Sequence, residues 1–298
     1  MFEKLTAAEP LNLLSETEAQ LSHMGKEYVS FDSIPKNDDE IIARINSSDA
    51  VLLNVNTGLS EYVLRNCKNL KYIGLCCTLY EDESCSVHLP TARELGIKVT
   101  GVSDYGDNGV PEFIIYALTG FLHGFTGKMW LDSPSELTDV KVGVLGMGTT
   151  GTLAAKALKH FGADVTYFAR HKKPHAEEIG IEYESLDDML NSRSVICSCL
   201  NKNVVLLDDE ALKKWSGNKI LVNTSLSPSF SADGIRRWLD EGNHLFCDSY
   251  MSLGDKSLLD HPNVSCMGTF SGGSHQAIKR LGDGVIKNIE SHFKSKEK

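Results

Sequence analysis

An α/β fold with two doubly wound parallel-sheet domains is predicted by three features of the chain. Short apolar stretches alternate with helical ones along most of the sequence, which is the pattern of parallel strands joined by crossover helices. One of those strands, Val142 to Leu145, runs into Gly146-Met147-Gly148-Thr149-Thr150-Gly151 and then into an Ala- and Leu-rich helical stretch ending near Phe161. At 298 residues the chain also exceeds one comfortable core, so it divides into two.

The glycine turn organises the rest. Gly146 permits the sharp exit from the strand, Gly148 lets the backbone approach a pyrophosphate with no Cβ in the way, and Gly151 lets the following helix pack against the strand. Unpaired N–H groups and the dipole at that helix start favour bound phosphate. A bare G-x-G-x-x-G is a weak signal, but here a second apolar strand, Asp164 to Ala169, completes a β-α-β unit of about 30 residues. The residues after that second strand bear on which dinucleotide is held. An Asp or Glu there accepts from a ribose 2′-hydroxyl, whereas a 2′-phosphate repels carboxylate and calls for Arg. This chain carries Arg170-His171-Lys172-Lys173, and the expected cofactor is NADP(H).

Ahead of the glycine turn the rhythm predicts a helix over 11–24, a strand over 28–31, a helix over 38–45, a strand over 50–53 and a helix over 60–66. A strand over 70–75, a polar loop, a helix over 89–95 and a strand over 97–100 follow. Gly101 to Gly109 reads as a hinge before an apolar helix from Val110 to Phe125, with a loop from Gly124 to Pro134. Beyond Ala169 come strand 195–197, helix 208–215, strand 219–223, helix 231–241 and strand 245–248. A last helix from Ser274 to Phe293 follows Gly272-Gly273 and is expected to cross back to the first domain, closing the pair around a cleft. The expected domains are 1–108 plus 273–298, a flavodoxin-like substrate side, and 109–272, the NADP-binding Rossmann side.

Composition narrows the function classes. Hydrophobic residues at 41% and charged residues at 23% describe an ordinary globular chain, and a net charge of −10 disfavours nucleic acid or an anionic membrane as partner. No apolar run reaches about 18 residues and the start lacks the order of a signal peptide, so a cytoplasmic location is expected. The eight Cys, with Cys76-Cys77 adjacent and Cys197-x-Cys199, have neither zinc-ribbon nor disulfide-scaffold spacing. No metal site is expected, and no Ser lies on a G-x-S-x-G elbow.

Taken together the motifs resemble the D-isomer-specific 2-hydroxyacid dehydrogenase family, which includes glyoxylate/hydroxypyruvate reductases. The resemblance rests on Glu136-Leu137, Tyr167-Phe168-Ala169-Arg170-His171-Lys172-Lys173, Asp209-Glu210-Ala211-Leu212 and Leu221-Val222-Asn223-Thr224-Ser225. Leu258-Leu259-Asp260-His261-Pro262-Asn263-Val264 and Gly272-Gly273 continue it in the family's order, and Val110-Pro111-Glu112-Phe113 is similar to its V-A-E-H helix start. The likeness implies cofactor roles for Asp248, at the nicotinamide carboxamide, for Thr224 and Ser225, beside the nicotinamide ribose, and for Cys199-Leu200-Asn201, around the adenosine. It also implies a homodimer built on the helix and loop from Val110 to Trp130.

The family's acid-base set does not carry over. Where the resemblance places the carboxylate-binding Arg, the Glu that supports the catalytic His, and the His itself, this chain has Leu226, Met251 and Phe270. The substrate loop is Cys76-Cys77-Thr78-Leu79-Tyr80 in place of a Gly-rich turn. A substrate carboxylate costs several kcal/mol to bury without a cation, and a carbonyl receiving hydride needs a proton donor, commonly worth about 10² to 10⁴ in rate. The expected substrate is therefore a carbonyl, imine or related small molecule other than a simple 2-oxo acid, its apolar part meeting Leu226, Met251 and Phe270. Tyr80, Tyr105, Tyr250 and His275 are the candidate donors. Two alternatives stay open: a catalytically silent NADP-binding sensor, and an ordinary D-2-hydroxyacid dehydrogenase with relocated catalytic groups.

Overall fold

A computed structural model describes residues 1–79, 82 and 85–296. The chain separates into two compact units, Met1–Tyr105 with His275–Lys298, and Gly106–Ser274.

The first unit runs β1 (Phe2–Ala7), α1 (Ser15–Leu21), β2 (Gly25–Ser30), α2 (Asp38–Ile45), β3 (Ala50–Leu53), α3 (Glu61–Asn66), β4 (Tyr72–Leu75), α4 (Leu89–Glu94) and β5 (Lys98–Thr100). Its sheet is parallel throughout, in the order β2-β1-β3-β4-β5. β1 is an interior strand that the sequence pattern did not reveal, because Glu3 and Lys4 interrupt a run of only six residues. Leu5, Thr6 and Ala7 nonetheless pair with both β2 and β3, and Leu5 and Ala7 are wholly enclosed. The helix expected from Leu11 begins only at Ser15, since Pro10 precedes it and Asn12 adopts a left-handed backbone at φ 55°.

The second unit runs α5 (Gly109–Leu122), β6 (Lys141–Leu145), α6 (Thr149–His160), β7 (Asp164–Phe168), α7 (Pro174–Glu178), β8 (Glu182–Tyr183), α8 (Leu186–Ser192) and β9 (Val195–Ser198). It continues with α9 (Asp209–Lys214), β10 (Ile220–Asn223), α10 (Ala232–Asp240), β11 (His244–Cys247), α11 (Tyr250–Leu253), a 3₁₀ turn (Lys256–Asp260) and β12 (Val264–Cys266). The last helix, α12 (His275–Lys296), belongs to the first unit. The second sheet, also parallel, has the order β12-β11-β10-β9-β6-β7-β8. Its switch of direction falls between β6 and β9, the place where doubly wound sheets bind ligands beyond their carboxyl ends. Strand β8, helices α7, α8 and α11, and strand β12 are too short to show a period in sequence.

Cores lie on both faces of each sheet. In the second unit one face is filled by Ile114, Leu118, Val142, Val144, Ala154, Leu158 and Tyr167 among others, the opposite one by Leu145, Ile196, Trp215, Leu221 and Trp238. The β7–β8 edge is closed by charge. Arg193, 8% exposed, donates to Glu184 Oε2 at 2.7 Å and to Asp164 Oδ2 at 2.8 Å, while Thr166 and Ser192 also donate to Glu184. Burial alone would raise the Glu184 carboxyl, but the bonds from Arg193, Thr166 and Ser192 outweigh it and hold it below its ordinary 4.5. A carboxyl lowered on folding stabilises the fold above its unfolded pKa and loses that contribution as pH falls through the folded value. Arg193→Met is accordingly expected to cost about 3 kcal/mol at pH 7 in urea unfolding. Glu184→Gln should flatten the loss of stability of the parent protein below about pH 4.5.

Candidate functional site

The carboxyl end of β6 and the start of α6 meet with almost no space between their backbones. A Cβ on Gly151 would stand 2.0 Å from the carbonyl oxygen of Gly146, and Gly146 itself has φ 90° with the Cys199 carbonyl 2.6 Å from where its Cβ would be. Neither position accepts a side chain. Gly148 differs: a Cβ there would meet nothing within 4 Å. Its glycine identity leaves open surface, as a ligand passing over the backbone requires.

Helix α6 starts without a side-chain cap at Gly148, and its first amide-to-carbonyl bond runs from Thr152 to Gly148. The N–H groups of Thr149, Thr150 and Gly151 therefore have no intrahelical acceptor and stand free for phosphate oxygens. Met147 is buried in the core under the turn. The residues present thus fit a dinucleotide: an open glycine, an uncapped helix start and a switch-point location. Beyond β7, Arg170 and His171 are exposed and make no hydrogen bond or ion pair among the described residues. Lys172 instead lies over the Tyr183 ring at 5.5 Å.

Unforeseen in the sequence is Asp107, which accepts a hydrogen bond from the Thr150 hydroxyl in the first turn of α6. Close by, a Cβ on Gly106 would strike the Gly272 carbonyl oxygen at 2.7 Å, and one on Gly109 the Ser271 oxygen at 2.0 Å. The two segments that join the units therefore lie backbone against backbone within the second unit. Non-local contacts of this sort leave no trace in local pattern; the glycine-rich composition of 101–109 was their one sequence signal.

At the carboxyl ends of β9, β10 and β11 a buried polar network takes over. The Thr224 hydroxyl donates to the Ser198 carbonyl at 2.8 Å, and Ser225 Oγ accepts from the Leu200 amide at 2.9 Å and contacts Ser198 Oγ at 2.9 Å. Asn223 Nδ2 donates to the Ser252 carbonyl at 2.8 Å and the Ser227 carbonyl at 3.2 Å. Asp248, 1% exposed, accepts from Ser252 Oγ at 2.9 Å and from the Ser271 amide and hydroxyl at 3.0 and 2.7 Å. Half-buried Cys199 has its thiol pushed up to about 11 by burial, with the Asp107 and Asp248 carboxylates adding in the same direction. It stays a neutral thiol at physiological pH.

This network places the three apolar substitutions at one end of the sheet. Leu226 lies between Ser225 and Ser227, Met251 precedes Ser252, and Phe270 precedes Ser271, so each adjoins a residue bonded in the Asn223–Asp248 chain. Leu226 and Phe270 are half-buried, Met251 is 54% exposed, and the Phe270 ring covers Gly272, with Gly273 closing a turn onto the Phe270 carbonyl. Tyr250, next to Met251, lies under the Lys256 ammonium at 4.6 Å, and its ring lies against Gly268. Leu200 is half-buried and Asn201 exposed.

The remaining candidates lie in the first unit. Tyr105 packs on the α12 side of its sheet, His275 is exposed at the start of α12, and Tyr80 lies outside the described residues. Cys76 and Cys77, expected in the substrate loop, are both buried. Their side chains enter the cores on opposite faces of the first sheet, where burial pushes Cys76 well above an ordinary thiol and Cys77 up to about 11. Alternation along the strand exit sends the two to opposite faces, each covered by a core, while Leu79 further along the loop is exposed. Among the described residues no helix is long and apolar enough to cross a membrane, and no cluster of His, Cys, Asp and Glu could hold a metal ion.

Fold and site together define a Rossmann-type dinucleotide-binding oxidoreductase. Residues 125–267 match the NAD-binding domain of the D-isomer specific 2-hydroxyacid dehydrogenases. That match, with relatives named as dehydrogenases and reductases, supports the family and an NAD(P)-dependent oxidoreductase. It is 26% identical to a hydroxypyruvate reductase of Blautia hydrogenotrophica over 281 residues, 86% of this chain and 85% of the relative. The apo D-lactate dehydrogenase of Escherichia coli superposes with a TM-score of 0.78 at 23% identity, covering 98% of this chain and 97% of that one. An acyclic imino acid reductase in complex with NADPH and D-Arg superposes with a TM-score of 0.79 at 19% identity, over 98% and 97%.

The glycine geometry makes a paired prediction. Gly151→Ala should lower the melting temperature, because its methyl has no room beside the Gly146 carbonyl. Gly148→Ala should leave the melting temperature unchanged yet weaken dinucleotide binding at least about tenfold in a fluorescence titration, since its methyl would occupy surface that phosphate needs.

Proposed function

We propose that the protein is an NADPH-dependent reductase acting on a carbonyl, imine or related small molecule other than a simple 2-oxo acid. One observation supports this reading: a polar network holds together the segments carrying Leu226, Met251 and Phe270, which the resemblance puts in the places of the family's Arg, Glu and His. A site that keeps its scaffold and exchanges charged groups for apolar ones rejects a free carboxylate, which costs several kcal/mol to bury there. It suits a substrate with an apolar flank. The imino acid reductase on the same fold is a precedent for NADPH and for imine reduction.

Preference for NADPH is assigned to Arg170, exposed and unpaired one residue beyond Ala169, where no carboxylate competes for the ribose. Bound there, NADPH supplies the hydride. The chain supplies orientation through the free amides of α6 and the segments anchored by Thr224, Ser225 and Asp248. Tyr250 is assigned as proton donor, its ring fixed between Lys256 and Gly268 beside Met251.

NADPH oxidation across a panel of neutral ketones, aldehydes and imines tests the reading. Turnover of at least one class is expected, and Tyr250→Phe should lower kcat about 10²-fold without changing NADPH affinity. A panel without turnover, with normal NADPH binding, would favour the sensor. Tighter binding of NADH than NADPH, or no loss of preference in Arg170→Ala, would contradict the cofactor assignment.

A homodimer through α5 is part of the same proposal. Ile114, Ala117 and Leu118 of that helix are buried, Ile115 is half-buried against the same core, and Tyr116 is exposed, with Pro111, Ile115 and Tyr116 bordering the surface. With Ala157 and Phe161 of α6 they line an apolar groove of about 500 Å³, in which Tyr116 is 52% and Phe161 48% exposed. Light scattering is expected to give twice the 32.8 kDa chain mass, and Ile115→Glu to return the monomer.

A further inference from the structure

The stretch proposed to carry 2′-phosphate selectivity, Arg170 to Lys173, is tied down on both sides. At its far end the Lys173 amide donates to the hydroxyl of Tyr167 at 2.7 Å, and Tyr167 is a wholly buried side chain of β7. Two residues on, His175 Nε2 lies 3.1 Å from the Thr152 hydroxyl on α6. That hydroxyl has one proton, and it is already committed: Thr152 Oγ1 donates to the Gly148 carbonyl at 2.7 Å, an atom that can only accept. The contact with His175 must then be an N–H donated by Nε2, in the neutral ring or the charged one.

Within the loop closed by the Tyr167–Lys173 bond, Arg170 and His171 project without a partner of their own among the described residues, while α6 presents its uncapped start. We propose that Tyr167 and His175 are positioning residues that hold the Arg170–Lys173 turn against α6, pre-forming a site for the 2′-phosphate of NADP and so setting selectivity over NAD. The inference rests on the NADPH reading given above. A turn already ordered before binding loses less conformational freedom when phosphate arrives, and the benefit reaches only the ligand that carries the phosphate. Both ties are hydrogen bonds of ordinary strength, so loss of either is expected to weaken NADPH binding roughly 5- to 10-fold.

Fluorescence titration of NADPH and NADH against the full-length protein tests this. His175→Ala and Tyr167→Phe should each weaken NADPH by that factor and leave NADH unchanged. His175→Gln, which keeps an N–H donor near the same place, should recover most of the loss. His175 is exposed, so its variants fold even where removal of the buried Tyr167 hydroxyl perturbs the sheet. Equal weakening of both cofactors, or unchanged NADPH binding in His175→Ala, would overturn the proposal. If the parent prefers NADPH, Arg170→Ala removes that preference and the two tie variants do nothing, the positioning role fails alone. If the parent prefers NADH, the cofactor reading itself fails.

Discussion

The dinucleotide unit depends on an absence of atoms. With a gap of 2.0 Å between the Gly146 carbonyl oxygen and the place a Gly151 Cβ would take, the first turn of α6 settles directly on the end of β6. Much else follows from that approach. The amides of Thr149 to Gly151 come free at the switch point, the Thr150 hydroxyl reaches Asp107, and that of Thr152 reaches His175. A helix displaced by one methyl group would lose the alignment of all three. The glycine loop is thus as much a packing device as a phosphate cradle, and its three glycines divide these tasks: Gly146 and Gly151 serve the packing, Gly148 the open surface.

A second constraint works at the other strand ends. Asn223, Ser252, Asp248 and Ser271 form a chain of bonds of 2.7 to 3.0 Å that joins the ends of β10 and β11 to the segment after β12. Asp248, expected at the nicotinamide, has both carboxylate oxygens engaged by its own chain. It orders the segments carrying Met251 and Phe270, and with Asp107 it adds to the burial that keeps the Cys199 thiol protonated. Such a network costs much when one member is removed, because its buried partners lose their bonds. It joins the segments that carry Leu226, Met251 and Phe270 at one end of the sheet.

The parts of the molecule legible in sequence were those governed by local rules. Gly146 to Gly151 announced a strand, a turn and a helix because each glycine answers a backbone requirement, and the alternation from Tyr28 onward announced parallel sheets. β1 escaped because Phe2-Glu3-Lys4-Leu5-Thr6-Ala7 is short and its charged pair hides an interior strand. Cys76 and Cys77 continue the strand's alternation beyond Leu75 and enter the cores on its two faces. Asp107 and His175 were silent for another reason: their partners lie 43 and 23 residues away, and a single polar side chain in a turn does not state what it will meet. The apolar triad was visible only through resemblance, as Leu, Met and Phe carry no chemical signal of a vanished Arg, Glu and His.

The central claim is that this site handles a polar acceptor while refusing a free carboxylate, and one comparison isolates that property. The kcat/KM values for NADPH oxidation with pyruvate and with its methyl ester, each normalised to that compound's intrinsic reactivity toward hydride, compare two acceptors that differ by one charge. With Leu226 in place of a cation, kcat/KM is expected to be at least about tenfold higher for the ester, reflecting the penalty of burying an unpaired carboxylate. A preference for pyruvate of similar size would show that a cation does serve the substrate, and would contradict the account.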